Sequence, residues 1–250
     1  MAHSRPLFAT AGNSGVKIRY PQQPALRPVP LAFSLFPHLS MDSQPTRTFI
    51  DDLVSYFDQK AEVQAAYFAF LYSSVSETHD LILGVEHTGA LEGIKTMTLF
   101  IKRVYLQDSP MYFASTEDDP ATFALVKEQG LLFFSRQQET VVAQELLKRL
   151  FNQVSGDEAL VQAVREHGVY AMVDKEQLQQ KKLVVQSFSK GEATFTPLFS
   201  SANMVPLGGL TALPPGLVLA RLTWAQHLAG AAPRTVLLNP DTAFETALEL

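Results

Sequence analysis

Residues 63–72 read Val-Gln-Ala-Ala-Tyr-Phe-Ala-Phe-Leu-Tyr, apolar on both alternating faces except at Gln64. A strand of that kind cannot lie on a surface, because each of its two faces needs an apolar cover. It reads as a central strand, and its aromatic content suits that position. Everything near it must therefore supply either a pairing strand or a covering helix.

The flanking sequence supplies both. Phe49, Ile50, Leu53, Val54 and Phe57 recur at helical spacing, with Asp51 and Asp52 early enough to favour the helix dipole, and predict a helix over 46–59. After a turn at 73–78, residues 80–86 form a second strand, and Leu91, Ile94, Met97, Ile101 and Val104 return to the helical period across 90–105. Residues 111–114 are a third strand. Pro120 fits the first turn of a helix carrying Phe123 and Val126, which Gly130 can end by tolerating positive φ. Residues 131–135 complete an α-β-β-α-β-α-β order, whose early hairpin points to an α+β sheet rather than a doubly wound one.

Arg136 to Glu139 is a polar break and places a module boundary at 136–140. Beyond it, Val142, Leu146, Leu150 and Val154 mark a helix, Ser155-Gly156-Asp157 a cap-like turn, and Leu160, Val161 and Val164 a short helix that Gly168 stops. Residues 169–173 are a strand. The alternating runs 183–188 and 193–199 flank Ser189-Lys190-Gly191-Glu192 and predict a hairpin. Pro214-Pro215-Gly216 breaks the chain. Residues 217–220 then read as a strand, 224–228 as a short helix, and 236–238 as a last buried strand ending at Asn239-Pro240. The expected fold is α+β: two small mixed modules, 41–136 and 137–250, each with a largely antiparallel sheet and packed helices.

Six of the fifteen prolines fall in residues 1–40, which sustain no apolar period and carry four basic residues but no acidic one. This segment is expected to be disordered or a spurious extension, with translation starting at Met41. The rest keeps 16 basic residues against 25 acidic ones, a charge of −9 over 41–250. An acidic body argues against nucleic-acid or anionic-membrane binding, which needs clustered Lys and Arg. No cysteine is present, which excludes disulfides, thiolate chemistry and Cys-ligated metals. No apolar run approaches the roughly 20 residues needed to span a bilayer, and no signal-peptide pattern opens the chain. The expected location is cytoplasmic.

Phe195-Thr196-Pro197-Leu198-Phe199-Ser200-Ser201 followed by Val236-Leu237-Leu238-Asn239-Pro240 is similar to the "FT…FTS" and "VLNP" blocks of the N-terminal domain of the SseB (enhanced serine sensitivity) family. That likeness covers roughly 140–250. The first half, with 63–71 ahead of 81–86, resembles the family's C-terminal module, so the two modules stand here in reversed order. The resemblance implies a link to serine tolerance and brings no catalytic residues with it.

The residues themselves offer little chemistry. The six histidines are scattered without ligand spacing, so no metal is expected; Glu86-His87 is the most suggestive couple, since a carboxylate can orient an imidazole, although such a pair also reads as a solvated strand end. Ser200-Ser201 lacks a nucleophile elbow and an adjacent base, which favours a capping or turn role. No phosphate-binding glycine motif occurs. Catalytic residues and cofactors are therefore both read as none. Asn239-Pro240 reads first as a strand terminator. Its functional reading is a surface notch with Phe199 and Trp224 nearby, where exposed aromatics would suit a protein interface, while Trp224 also suits the core. The candidate binding residues are Phe199, Ser200, Ser201, Trp224 and Asn239. They fit a non-enzymatic interaction or regulatory protein with another protein as partner. The rival is a sensor or enzyme for an amino-acid metabolite, with its site between the modules.

Overall fold

Thr48 opens the first helix, α1 (Phe49–Gln59), through a capping box: its hydroxyl accepts from the Asp51 N–H at 3.1 Å while Asp51 accepts from the Thr48 N–H at 2.9 Å. Phe49, Ile50, Leu53 and Phe57 form its buried face. The other end carries no basic residue of its own. Arg136 reaches back instead, donating through Nη2 to the carbonyls of Phe57, Asp58 and Lys60 at 2.8–3.0 Å, and so satisfies acceptors the helix leaves open. The polar break at 136–139 thus includes the C-terminal cap of a helix nearly eighty residues away.

The computed structural model describes residues 47–73, 78–107, 109–151, 157–190, 193–207, 212–223 and 235–250. The expectations for residues 1–40 and Met41, Val154, Ser155-Gly156, the turn at Gly191-Glu192 and Trp224 with its short helix lie outside these described residues.

β1 (Val63–Ser73) and β2 (Thr78–His87) pair antiparallel, with an irregularity between Val63 and Ala65 where the polar Gln64 sits. α2 (Leu91–Leu106) carries the chain to β3 (Tyr112–Ser115), which runs parallel to β2. α3 (Pro120–Gln129) leads to β4 (Leu131–Ser135), antiparallel to β1. The sheet order is β3-β2-β1-β4, with β1 inside as its two apolar faces require. Ala66 and Phe68 pack under α1 and α2, whereas Ala65, Tyr67 and Ala69 pack with Phe123 and Val126 of α3.

Gly130 ends α3 for a reason other than the one its sequence suggests. Its φ is −91°, so no left-handed conformation is involved. A Cβ there would lie 2.3 Å from the Val126 carbonyl oxygen and 2.8 Å from that of Phe68. Close backbone approach, rather than positive φ, demands glycine.

The second sheet follows α4 (Val141–Leu150) and α5 (Glu158–Glu166). Asp157 stands at the N-cap of α5 but caps nothing; its carboxylate pairs with Arg149. β5 (Gly168–Asp174), β7 (Ala193–Phe199), β8 (Leu217–Thr223), β9 (Thr235–Leu238) and β10 (Thr246–Glu249) run in the order β10-β9-β7-β5-β8, and β6 (Phe188–Lys190) adds to β7. All neighbours are antiparallel except β7 and β9. The α+β expectation therefore holds, with largely antiparallel sheets.

Two local expectations need correction, and two short helices join the expected elements. The strand expected over 183–188 contracts to β6, because 183–187 meets β5 only through the Val173–Val185 bridge and two flanking hydrogen bonds. β9 is not the last strand, since β10 follows at the sheet edge. Short turns of helix, α6 (Lys175–Gln179) and α7 (Met204–Leu207), occupy stretches that carry no apolar period.

One apolar cluster runs from Phe49 through α4 and α5 to Leu250 and joins the two sheets. The Phe70 and Phe244 rings meet at 5.6 Å, and Asn203 donates to the Gly130 carbonyl at 2.9 Å.

Candidate functional site

Asn239 adopts φ 51°, which turns the chain away from β7 directly after the Leu198–Leu238 pair. Its N–H still reaches the Leu198 carbonyl at 2.7 Å. Its side-chain Oδ1 then accepts from the Ser200 N–H at 2.9 Å and the Ser200 hydroxyl at 3.1 Å, standing in for the next backbone acceptor of the ladder. Asn suits the position twice, tolerating the left-handed region and offering an amide oxygen there. Beside it the Ser201 hydroxyl donates to Asn203, whose amide reaches Gly130. The structure thus brings Phe199, Ser200, Ser201 and Asn239 together, as a fastening between strand ends.

That fastening is not a surface notch. Phe199 and Asn239 are fully buried, and Ser200 and Ser201 are buried too. Burial removes Phe199 from any exposed aromatic edge, and the serine hydroxyls face no described base. Trp224 lies outside the described residues.

The carboxylate–imidazole couple also moves. Glu86 pairs with Lys127 at 2.8 Å, while His87 is buried and donates through Nδ1 to the Gly89 carbonyl at 2.9 Å, so the two do not meet and His87 is no solvated strand end. They sit on opposite faces of β2, as successive strand residues do. The geometry forms instead between Glu139 and His167, whose Nδ1 lies 2.6 Å from Oε1, with Arg221 donating to Oε2 at 2.7 Å. The hydrogen bond from His167 outweighs burial and, with Arg221, holds the Glu139 carboxyl below its ordinary range. Both carboxylate oxygens of Glu139 are thus engaged within the chain, by His167 and Arg221. Sequence spacing could not reveal these contacts, because the turn after β4 and the start of β5 meet only in the fold.

No family model matches this chain, and neither does any curated protein or solved structure. What the chain can do must come from its own surface, and there α2 stands apart.

α2 has two apolar stripes. Ile94, Thr98 and Ile101 face inward and are buried. A second row, Gly93, Met97, Phe100 and Val104, repeats at steps of four, three and four on the outer side. Met97, Phe100 and Val104 are 42%, 62% and 59% exposed, and Leu99 is exposed further round the helix. Single exposed apolar residues are ordinary, whereas a contiguous row of them marks a surface that something covers. Two hydrogen bonds tie the helix to α1: the Tyr105 hydroxyl donates to Asp52 at 2.6 Å, and the Tyr56 hydroxyl donates to the Gly93 carbonyl at 3.0 Å. Burial, then the bond to Asp52, push the Tyr105 hydroxyl up to about 12, so it remains a donor throughout the physiological range. The sequence expectation placed Met97 and Val104 in one stripe with Ile94 and Ile101. The structure separates them by burial, and the signal lay in Phe100, which follows Met97 at three residues and precedes Val104 at four and so widens the apolar sector past the face that Ile94 and Ile101 occupy.

Among the described residues, no three metal-ligating side chains converge, and no helix is long and apolar enough to cross a membrane.

Proposed function

We propose that this chain is a non-enzymatic interaction or regulatory protein of SseB type, acting in the cytoplasm on a protein partner through the outer face of α2. The observation that carries the reading is the row Met97, Phe100 and Val104: apolar, solvent-facing and on a helix tied to α1 through Tyr105 and Tyr56. Large apolar side chains left in water cost free energy that a partner surface recovers at about 25 cal/mol per Å² covered. The acidic body favours a protein partner over nucleic acid. The likeness of 195–201 and 236–240 to the SseB blocks supports the family and a link to serine tolerance, with the modules in reversed order. The metabolite-sensor reading has less support, because both carboxylate oxygens of Glu139 at the join of the modules are already engaged by His167 and Arg221.

The test is capture from the native host with the tagged full chain, alongside Phe100→Asp and an exposed control elsewhere, Leu125→Asp. A partner retained by wild type and by the control but lost from a folded Phe100→Asp supports the reading. A partner that ignores the α2 substitution sinks it.

A further inference from the structure

Two features of α2 go beyond exposure. Gly93 lies in the outer row, in the first turn of the helix, where alanine is the better helix former. Nothing inside the chain requires it: its φ is not left-handed, and an added Cβ would meet no atom within 4 Å. A glycine with no internal reason on an exposed stripe leaves room for something approaching from outside.

The second feature is charge. Glu92 and Arg103 are exposed, lie eleven residues apart and therefore share one row beside the stripe. Neither has an ion-pair partner among the described residues: Glu92 accepts only from the Thr96 hydroxyl at 3.4 Å, whereas Lys95 of the same helix pairs with Asp118 and Lys102 donates to the Gln107 carbonyl. The arrangement is self-complementary. When two copies of a helix pack antiparallel about a two-fold axis, each flank meets itself in reverse. An axis between Met97 and Phe100 sets Met97 against the second copy's Phe100 and Gly93 against its Val104. The same operation carries Glu92 to within about one turn of the second copy's Arg103, and it does so twice.

We infer that the occupant of the α2 face is a second copy of this chain, docked antiparallel so that Gly93 receives Val104 and Glu92 pairs with Arg103. This rests on the interaction-module reading and names its partner. The contact is isologous and closed, so it stops at a dimer. It is also small, so it forms with rising concentration and separates on dilution.

The experiment is sedimentation of the full chain over a dilution series. Wild type is expected to rise from 27.6 kDa towards twice that mass. Phe100→Asp should weaken association by about tenfold or more. Glu92→Arg and Arg103→Glu should each remain monomeric, since each sets like charges opposite one another at both contacts. Mixed in equal amounts, those two variants should associate, because the mixed dimer restores both ion pairs; recovery also demonstrates that both are folded. A wild type that stays monomeric at every soluble concentration overturns the inference. So does a wild-type dimer that Phe100→Asp leaves intact, or a mixture that fails to associate. A monomeric wild type that still loses a captured partner through Phe100→Asp would overturn self-docking while leaving the interaction role standing.

Discussion

Asn239 and Phe100 occupy opposite ends of one scale: a polar side chain with no solvent contact, and an aromatic ring more than half in water. Each reverses the usual sorting of residues, yet they differ in what surrounds them. The Asn239 amide oxygen has partners inside the chain that it alone can serve, the Ser200 N–H and hydroxyl. The Phe100 ring has water where its row needs a cover. A buried polar group that answers to neighbouring backbone is an instrument of folding, whereas an apolar row that answers to nothing internal is the better candidate for an external task.

Mutations can break that contrast, and the largest effect should fall on a residue the sequence had suggested as an interface aromatic. Phe199→Ala is expected to cost about 3–5 kcal/mol in urea unfolding, as for a ring removed from a packed core; a loss under about 1 kcal/mol would place Phe199 outside the core. Asn239→Ala should cost about 2–3 kcal/mol, combining a lost acceptor with an alanine forced to positive φ. Asn239→Gly relieves the backbone and should recover about 1 kcal/mol of that, which separates the two contributions.

Next comes Lys148, largely buried between Asp51 and Glu145 at 2.7 Å from each. Lys148→Met leaves two carboxylates facing each other and should cost about 1–3 kcal/mol. Acid tests the same contact. Burial pushes the Asp51 carboxyl up, but the hydrogen bonds from Lys148 and Thr48 prevail and hold it below its ordinary 3.8. A lowered folded value means stability present above pH 3.8 and lost as pH falls through the folded value. Unfolding midpoints below pH 4 should therefore decline less steeply in Lys148→Met than in wild type. The smallest effect belongs to Phe100→Asp, which should shift stability by no more than about 0.5 kcal/mol while altering association. A destabilisation matching that of Phe199→Ala would erase the contrast.

The fold class was legible because its main elements announce themselves locally. The period of 49–57, the double-sided strand 63–72 and the Pro120 start each needed only a few neighbouring residues. Gly130 was legible as a helix end, though its reason was not, since the obstructing Phe68 carbonyl comes from a strand some sixty residues earlier. The strand expected at 183–188 failed because alternation describes a half-buried surface without naming a pairing partner, and β5 offers that stretch only a bridge. β10 was missed because four residues at a sheet edge carry too short a pattern. Of the candidate residues, Ser200 and Asn239 were picked together and do meet, but spacing could not tell a buried bond from an exposed one. The α2 row was overlooked because reading one stripe as the core left no question about the remaining apolar residues on the same helix.

The shared apolar cluster has a consequence for how the chain comes apart. Phe70 of the first sheet leans on Phe244 near the end of the second, and α4 lies against both α1 and α5. Loosening one sheet by heat strips cover from the other, so neither has a separate melting point to retreat to. Calorimetry should record a single endotherm whose van't Hoff and calorimetric enthalpies agree, the behaviour of one cooperative body written as two successive sheets.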